Sequence, residues 1–157
     1  DYKCFDRKAF EANSARFIDL LRTQDTLLAT RPEFRVGSWI EKARNCGTTP
    51  QEKDLYEWNA RVQITTWGPR QCADKGKLRD YAHKEWNGIL RDFYLPRWEA
   101  FFQTLRDNLN GYPLATLDYY AMEEPWTLDR TPYPSTPEGD SVAAARSAFA
   151  RTFQSAR

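Results

Sequence analysis

Between Leu78 and Leu109 apolar and aromatic side chains return every three or four residues: Tyr81, Ala82, Trp86, Ile89, Leu90, Phe93, Trp98, Phe101, Phe102 and Leu105. That period marks one side of an α-helix. A stripe this long and this aromatic needs other helices to cover it. The expected fold class is therefore all-α, a helical bundle of about five to six helices. The long helix is expected to be kinked by Pro96, which lacks a backbone donor and crowds the preceding turn. Asn110 and Gly111 end it.

Other helices follow from local signals. Residues 5 to 29 carry Phe10, Phe17, Leu20, Leu21, Leu27 and Leu28 at helical spacing. Thr30 to Glu33 reads as a turn and a capping box for a second helix near 33 to 46, which Gly47 stops. The third start is the clearest: Thr49 as N-cap, Pro50 in the first helical position, Glu52 reaching back to the cap. Leu55, Trp58, Asn59, Val62, Thr65 and Thr66 are placed on its one side, and it ends by Trp67, because Pro69 disfavours helix at Gly68. A short helix near 117 to 124 is expected to end before Pro125. The stretch PWTLDRTPYPSTPEGD holds four prolines and no period, so it reads as an ordered loop. Asp140 then caps a last helix with Val142, Ala145, Phe149 and Phe153 facing inward. No strand or hairpin signal stands out.

The length of 157 residues suits a single helical domain, 1–157, that buries roughly 68–70% of its unfolded surface. Lys plus Arg is 23 and Asp plus Glu is 22, so no basic excess marks a nucleic-acid or anionic-membrane partner. No apolar run approaches the ~20 residues of a membrane helix, and residues 1 to 10 lack the apolar stretch of a signal peptide. Cys4, Cys46 and Cys72 have no paired spacing, and with His83 the single histidine, no metal site or cofactor is expected. About 17 helical residues, ~25 Å, separate Cys46 from Cys72 if their helices run antiparallel. A disulfide needs Cα atoms within ~7 Å, so free thiols are expected.

No catalytic fingerprint is present: neither a glycine-rich phosphate loop nor a GxSxG elbow. His83 lies among charged residues and reads as a surface or hydrogen-bonding side chain. Glu123 and Glu124 are adjacent, so on a helix they do not face each other and make a poor carboxylate pair for sugar hydrolysis. The constellation that stands out is Asn59, Arg61, Gln63, Thr66 and Trp67, with Asp80 and Tyr81 across the corner. One reading is a helix-packing network in which Arg61 pairs with Asp80 or Glu85. The other is a rim that reaches a ligand. Trp67, the largest side chain type, stands at a Gly-Pro corner where burial is hardest, which suits either a plug or a pocket wall.

The ordered set DLYEWNARVQITTWGP, LRDYAHKEWNGILRDFYLPRWEAFF, LLRTQDTLLAT, FRVGSWIEKAR and YPSTPEGDSVAAA resembles the C-terminal helical domain of the alpha-N-acetylglucosaminidases, glycoside hydrolase family 89. The resemblance runs from about Phe17 to Phe153. It implies the last part of a modular, exo-acting, retaining enzyme that removes terminal alpha-linked N-acetylglucosamine. It implies that this domain packs on a catalytic (β/α)-barrel, closes one side of the sugar pocket, and contributes no catalytic residue, the acid/base and nucleophile being barrel glutamates. Trp67 matches the position that approaches the sugar, and Tyr81 and Arg61 match positions around it; these three are the substrate-binding candidates. The sequence looks more like bacterial members, which implies a periplasmic or secreted enzyme; animal counterparts are lysosomal. The start at Asp1, where the family has more helix, suggests a piece of a longer chain. The competing reading is an independent, non-catalytic helical binding module.

Overall fold

The computed structural model describes residues 2–4 and 6–154. Phe5, where the first helix is expected to begin, lies outside them. The first helix, α1 (Arg7–Leu28), starts where the Asp6 carboxylate accepts the Ala9 N–H at 3.0 Å. Its inward side meets α4 (Leu95–Leu109) through interleaved rings. Phe17 lies 4.7 Å from Trp98 and 5.5 Å from Phe102, and Phe10 lies 6.3 Å from Phe102. The two helices run antiparallel. Arg7 at the start of α1 donates to the Leu109 carbonyl, Arg106 clasps Glu11, and Arg22 pairs with Glu99.

The second pair is α2 (Val36–Asn45) and α3 (Pro50–Gln63). Trp39 Nε1 donates to the Ala60 carbonyl across them at 2.9 Å. The Thr49–Glu52 capping box forms in full, because Glu52 collects the Thr48 and Thr49 N–H groups at 2.8 and 3.0 Å. The box expected at Thr30–Glu33 does not form. Thr30 donates its hydroxyl to the Leu27 carbonyl and Glu33 pairs with Arg31. Pro32–Phe34 winds one tight 3₁₀ turn, and α2 begins after Arg35.

The largest departure concerns the long helix. Residues 76–88 are turns and extended chain, and continuous helix starts at Ile89. Trp86, on the expected stripe, is therefore not helical; it packs beside Trp39, 6.0 Å between ring centres. Two contacts override the helical period. Asn87 exchanges backbone hydrogen bonds with the Phe34–Val36 stretch, and the buried Asp25 carboxylate takes the Asn87 Nδ2 and Gly88 N–H donors at 2.8 and 2.7 Å. Gly88 has φ 90°, and a Cβ there would sit 2.8 Å from Val36 and Tyr133 side-chain atoms, so only glycine fits. Ahead of Pro96 the helix widens into a π-turn over Leu90–Tyr94, which absorbs the donor the proline lacks.

Helix α5 (Tyr119–Leu128) is capped by Asp118 and continues through Pro125, past the expected end. The proline-rich loop that follows is ordered by Arg35. Its guanidinium is buried and donates to the carbonyls of Ala29 and Pro134 and to the Glu138 carboxylate, each at 2.9 Å. Asp140 caps α6 (Ser141–Phe149), which lies along α1. The face of α6 is rotated from the expectation: Val142, Ala145, Phe149 and Phe153 are exposed. In α3 the buried residues are Glu57, Ala60, Arg61 and Val62, while Leu55 and Asn59 face outward. The core joins Val36, Ile40, Ile64, Ile89, Leu90, Phe93, Tyr94 and Trp126.

Among the described residues there are six α-helices and no strand. None of those helices is long and apolar enough to cross a membrane. The three cysteines are free and exposed, and no described cluster of three or more His, Cys, Asp or Glu could hold a metal ion.

Candidate functional site

The Gly-Pro corner after α3 places Trp67 against Tyr81 edge-on, 5.2 Å between ring centres. Trp67 is half-buried and Tyr81 is 71% exposed. Beneath them Ile64, Thr65 and Thr66 are buried, and Thr65 donates its hydroxyl to the Arg61 carbonyl at 2.7 Å. The corner is thus a half-buried ring against an exposed one, on a buried base.

Its backbone is strained. Among the described residues the non-glycine positions with positive φ are Trp67 (64°), Lys77 (55°) and Asp80 (60°), all in this one segment. Left-handed backbone at residues with a Cβ costs about 1–2 kcal/mol each. Such strain persists only where the surroundings over-determine it, and it gathers at binding and catalytic sites. Two kinds of contact hold it here. The Trp67 N–H donates to the Val62 carbonyl at 2.8 Å, and the Asp80 N–H to the Thr65 carbonyl at 3.2 Å. The Asp80 carboxylate then takes two parallel hydrogen bonds from Arg97, at 2.8 and 3.1 Å.

Arg97 ties the corner to α4 and α5. Its guanidinium lies over the rings of Tyr94, Phe93 and Tyr119, at 5.0, 5.3 and 5.8 Å. It also meets the buried Glu123 carboxylate at 2.5 Å, and Arg79 reaches the same carboxylate at 3.9 Å. These pairs are close but misaligned, so Arg97 Nε and both Glu123 oxygens lack a hydrogen bond among the described residues. Burial pushes the Glu123 carboxyl up from its ordinary value, against the pull of the two arginines. Burial opposes the charge on Arg97, yet the hydrogen bonds it donates to Asp80 and the field of Glu123 raise its pKa. Beside this network opens a cavity of about 370 Å³ lined by Arg79, Asp80, Arg97, Trp98, Phe101 and Tyr119.

Arg61, the third residue singled out in the sequence, does not join the rim. It is fully buried and pairs with Glu57, not with Asp80 or Glu85; Nε donates to Glu57 at 2.9 Å. Its remaining donors go to the carbonyls of Trp126 and Thr131, at 3.3 and 3.1 Å, and its plane stacks on Trp126 and Tyr133. Asn59 and Gln63 are exposed on another side of α3, beside Trp39 and Tyr56. Of the constellation proposed from the sequence, the structure therefore gathers Trp67, Tyr81 and Asp80, with Arg61 set underneath. Arg97 is the member that sequence reasoning missed. Its neighbour Pro96 drew attention as a kink, and a buried fork-shaped cation one residue on leaves no signal in a hydrophobic pattern. Glu123 and Glu124 go to different partners: Glu123 is buried against Arg97, while the Glu124 side chain meets Tyr120 Oη at 3.3 Å.

The alpha-N-acetylglucosaminidase (NAGLU) C-terminal domain family matches residues 1–151. Human alpha-N-acetylglucosaminidase is 35% identical over 140 residues, which cover 86% of this chain and 18% of that protein. A family 89 glycoside hydrolase from Clostridium perfringens, solved in complex with PUGNAc, is 35% identical with a TM-score of 0.87, over 94% of this chain and 18% of that one. The same TM-score, 0.87, is found with a Clostridium perfringens relative in complex with its substrate GlcNAc-alpha-1,4-galactose, at 34% identity over 95% of this chain and 18% of that one. The chain spans less than a fifth of the length of these relatives.

Proposed function

The chain belongs to the family of alpha-N-acetylglucosaminidase C-terminal domains, and from that premise we propose that it is the C-terminal helical domain, residues 1–157, of an exo-acting, retaining alpha-N-acetylglucosaminidase. In this reading it packs on the catalytic barrel and walls one side of a pocket for terminal alpha-linked N-acetylglucosamine. The Trp67–Tyr81 corner is the wall. Arg61 supports the end of α3 from behind, tying it to the Trp126 and Thr131 carbonyls, and no carboxylate of this chain does chemistry. The enzyme is secreted or periplasmic in a bacterial source and lysosomal in an animal one.

The observation that carries the reading is the conformation of Trp67. A tryptophan held at φ 64° and half-exposed against Tyr81 is placed against its own backbone preference. A ring presented in this way gives apolar contact to a pyranose face or an acetamido methyl and leaves the hydroxyls to polar groups.

The test is Trp67→Ala in the full-length enzyme, with melting temperature and kcat/KM on an aryl alpha-N-acetylglucosaminide measured together. A truncated core Trp costs roughly 3–5 kcal/mol of stability, whereas a misplaced substrate loses about 100-fold in rate. The expected result is a kcat/KM loss of about that size with most of the stability kept, and no turnover by the isolated chain. A large fall in melting temperature with the folded fraction fully active shows a structural plug instead.

A further inference from the structure

Resting on that reading of the corner, we propose that Arg97 is the positioning residue for the sugar-facing wall: by clamping Asp80 it fixes where Tyr81 and Trp67 stand. The segment from Trp67 to Tyr81 enters from α3 and is tied to it by the Trp67 and Asp80 N–H groups. Those two backbone bonds set where the chain passes, not how it is turned. The side-chain anchor at the far end is the Asp80 carboxylate on Arg97, one residue from Tyr81. Asp80 is itself held at φ 60°, so an unclamped segment has a cheaper conformation to relax into. The cavity next to the clamp, bounded by Trp98, Phe101 and Tyr119, gives it room to do so.

The shape of the cation matters. Asp80 takes a two-toothed contact from the two terminal guanidinium nitrogens, Nη1 and Nη2, while Nη2 also reaches Glu123. A lysine ammonium is a point charge and cannot reproduce that planar fork. Glu123 sets the charge at this place without aligned hydrogen bonds of its own. Its 2.5 Å contact with Nη2 holds Arg97 between α5 and the corner. The clamp therefore transmits the placement of α4 and α5 to a pair of rings on the far side of Asp80.

The experiment uses the full-length enzyme and two substitutions, Arg97→Lys and Asp80→Asn. The second keeps a residue type that tolerates left-handed backbone and removes the charge the fork grips. Hydrogen exchange over residues 67–83 and over α1 is measured with steady-state kinetics on an aryl alpha-N-acetylglucosaminide. The expected result is exchange about tenfold faster in 67–83 and unchanged in α1. KM is expected to rise about tenfold with kcat within about threefold, since wall contacts act on bound substrate before and during reaction. Unchanged exchange in 67–83, or exchange rising equally in α1, overturns the inference. If Trp67→Ala harms turnover and both clamp variants leave KM unaltered, the inference fails and the pocket reading stands. If the segment loosens but neither Trp67→Ala nor the clamp variants alter kinetics, the pocket reading fails and the inference falls with it.

Discussion

Replacing Arg61 should test how far this fold depends on a buried cation. Arg61 has no exposed surface and its partner Glu57 is 3% exposed. Breaking a buried pair by removing one partner costs roughly 3–5 kcal/mol. Here the cost is reduced on one side, because Glu57 keeps Arg44 at 2.6 Å. It is increased on the other, because the Trp126 carbonyl loses a buried donor, at about 1–3 kcal/mol. The stacking on Trp126 and Tyr133 adds about 0.5–2 kcal/mol. These contributions overlap, so Arg61→Ala is expected to cost about 4–6 kcal/mol. That is much of the ~5–15 kcal/mol of a typical domain, so this variant will be near its unfolding threshold. Arg61→Lys keeps the charge but not the three-way fork, and about 2–3 kcal/mol is expected, from the same loss of hydrogen bonds. Urea denaturation of the purified chain, followed by Trp fluorescence, measures both against wild type. A lysine variant within about 0.5 kcal/mol of wild type, less than one ordinary hydrogen bond, would refute the claim that the fork geometry matters. An alanine variant that loses less than the lysine variant would refute the ledger altogether.

Two further outcomes are expected of the same chain. The Glu52 carboxyl is held down to about 2, first by the Thr48 hydroxyl and then by the Thr49 and Thr48 N–H groups; its contribution is present above the ordinary value of about 4.5 and is lost as pH falls toward 2. The melting-temperature gap between wild type and Glu52→Gln should therefore be widest above pH ~5 and close toward pH ~2, and a gap constant with pH contradicts the cap assignment. Gly88→Ala should destabilise by about 2–5 kcal/mol, because a Cβ there meets strained backbone and two packed side chains; calorimetry showing a neutral change would mean the site yields easily.

What was legible in the sequence was mostly punctuation. Thr49 to Glu52, Asp140 and the Asn110–Gly111 stop act through bonds between near neighbours, so three or four residues suffice to read them. The helical stretch before Ile89 misled for the opposite reason. Tyr81, Ala82 and Trp86 keep helical period, yet Asp25, sixty residues upstream on the far helix, captures Asn87 and Gly88. Asn87–Gly88 is a dipeptide of the kind that marks turns, inside an apolar stripe of helical period. The inward side of α3 carries a charge pair, and the less exposed side of α6 holds Ser141, Ala144 and Ala148 in place of the larger Val142 and Phe149. Glu57 and Arg61 are buried against each other and against carbonyls of the loop after α5, and no hydrophobic pattern marks such a pair. At the site, Trp67 and Tyr81 were visible as rings beside a Gly-Pro corner. Arg97 was not, since its role depends on Asp80 and Glu123 arriving from two other elements.

The strap that Arg35 makes across the proline-rich loop has a consequence for how the chain assembles. Arg35 and Pro134 are 99 residues apart in sequence, and Arg35 and Glu138 are 103 apart, whereas Trp39 and Ala60 are 21 apart. Closing a loop about five times longer costs roughly 1.4 kcal/mol more in chain entropy. The α2–α3 hairpin thus has a head start, and the Arg35 donors that end on Pro134 and Glu138 stay hydrated until the proline-rich loop arrives. Contacts at such separations raise the contact order, so the chain's folding clock should run slower than that of a bundle held by local contacts alone.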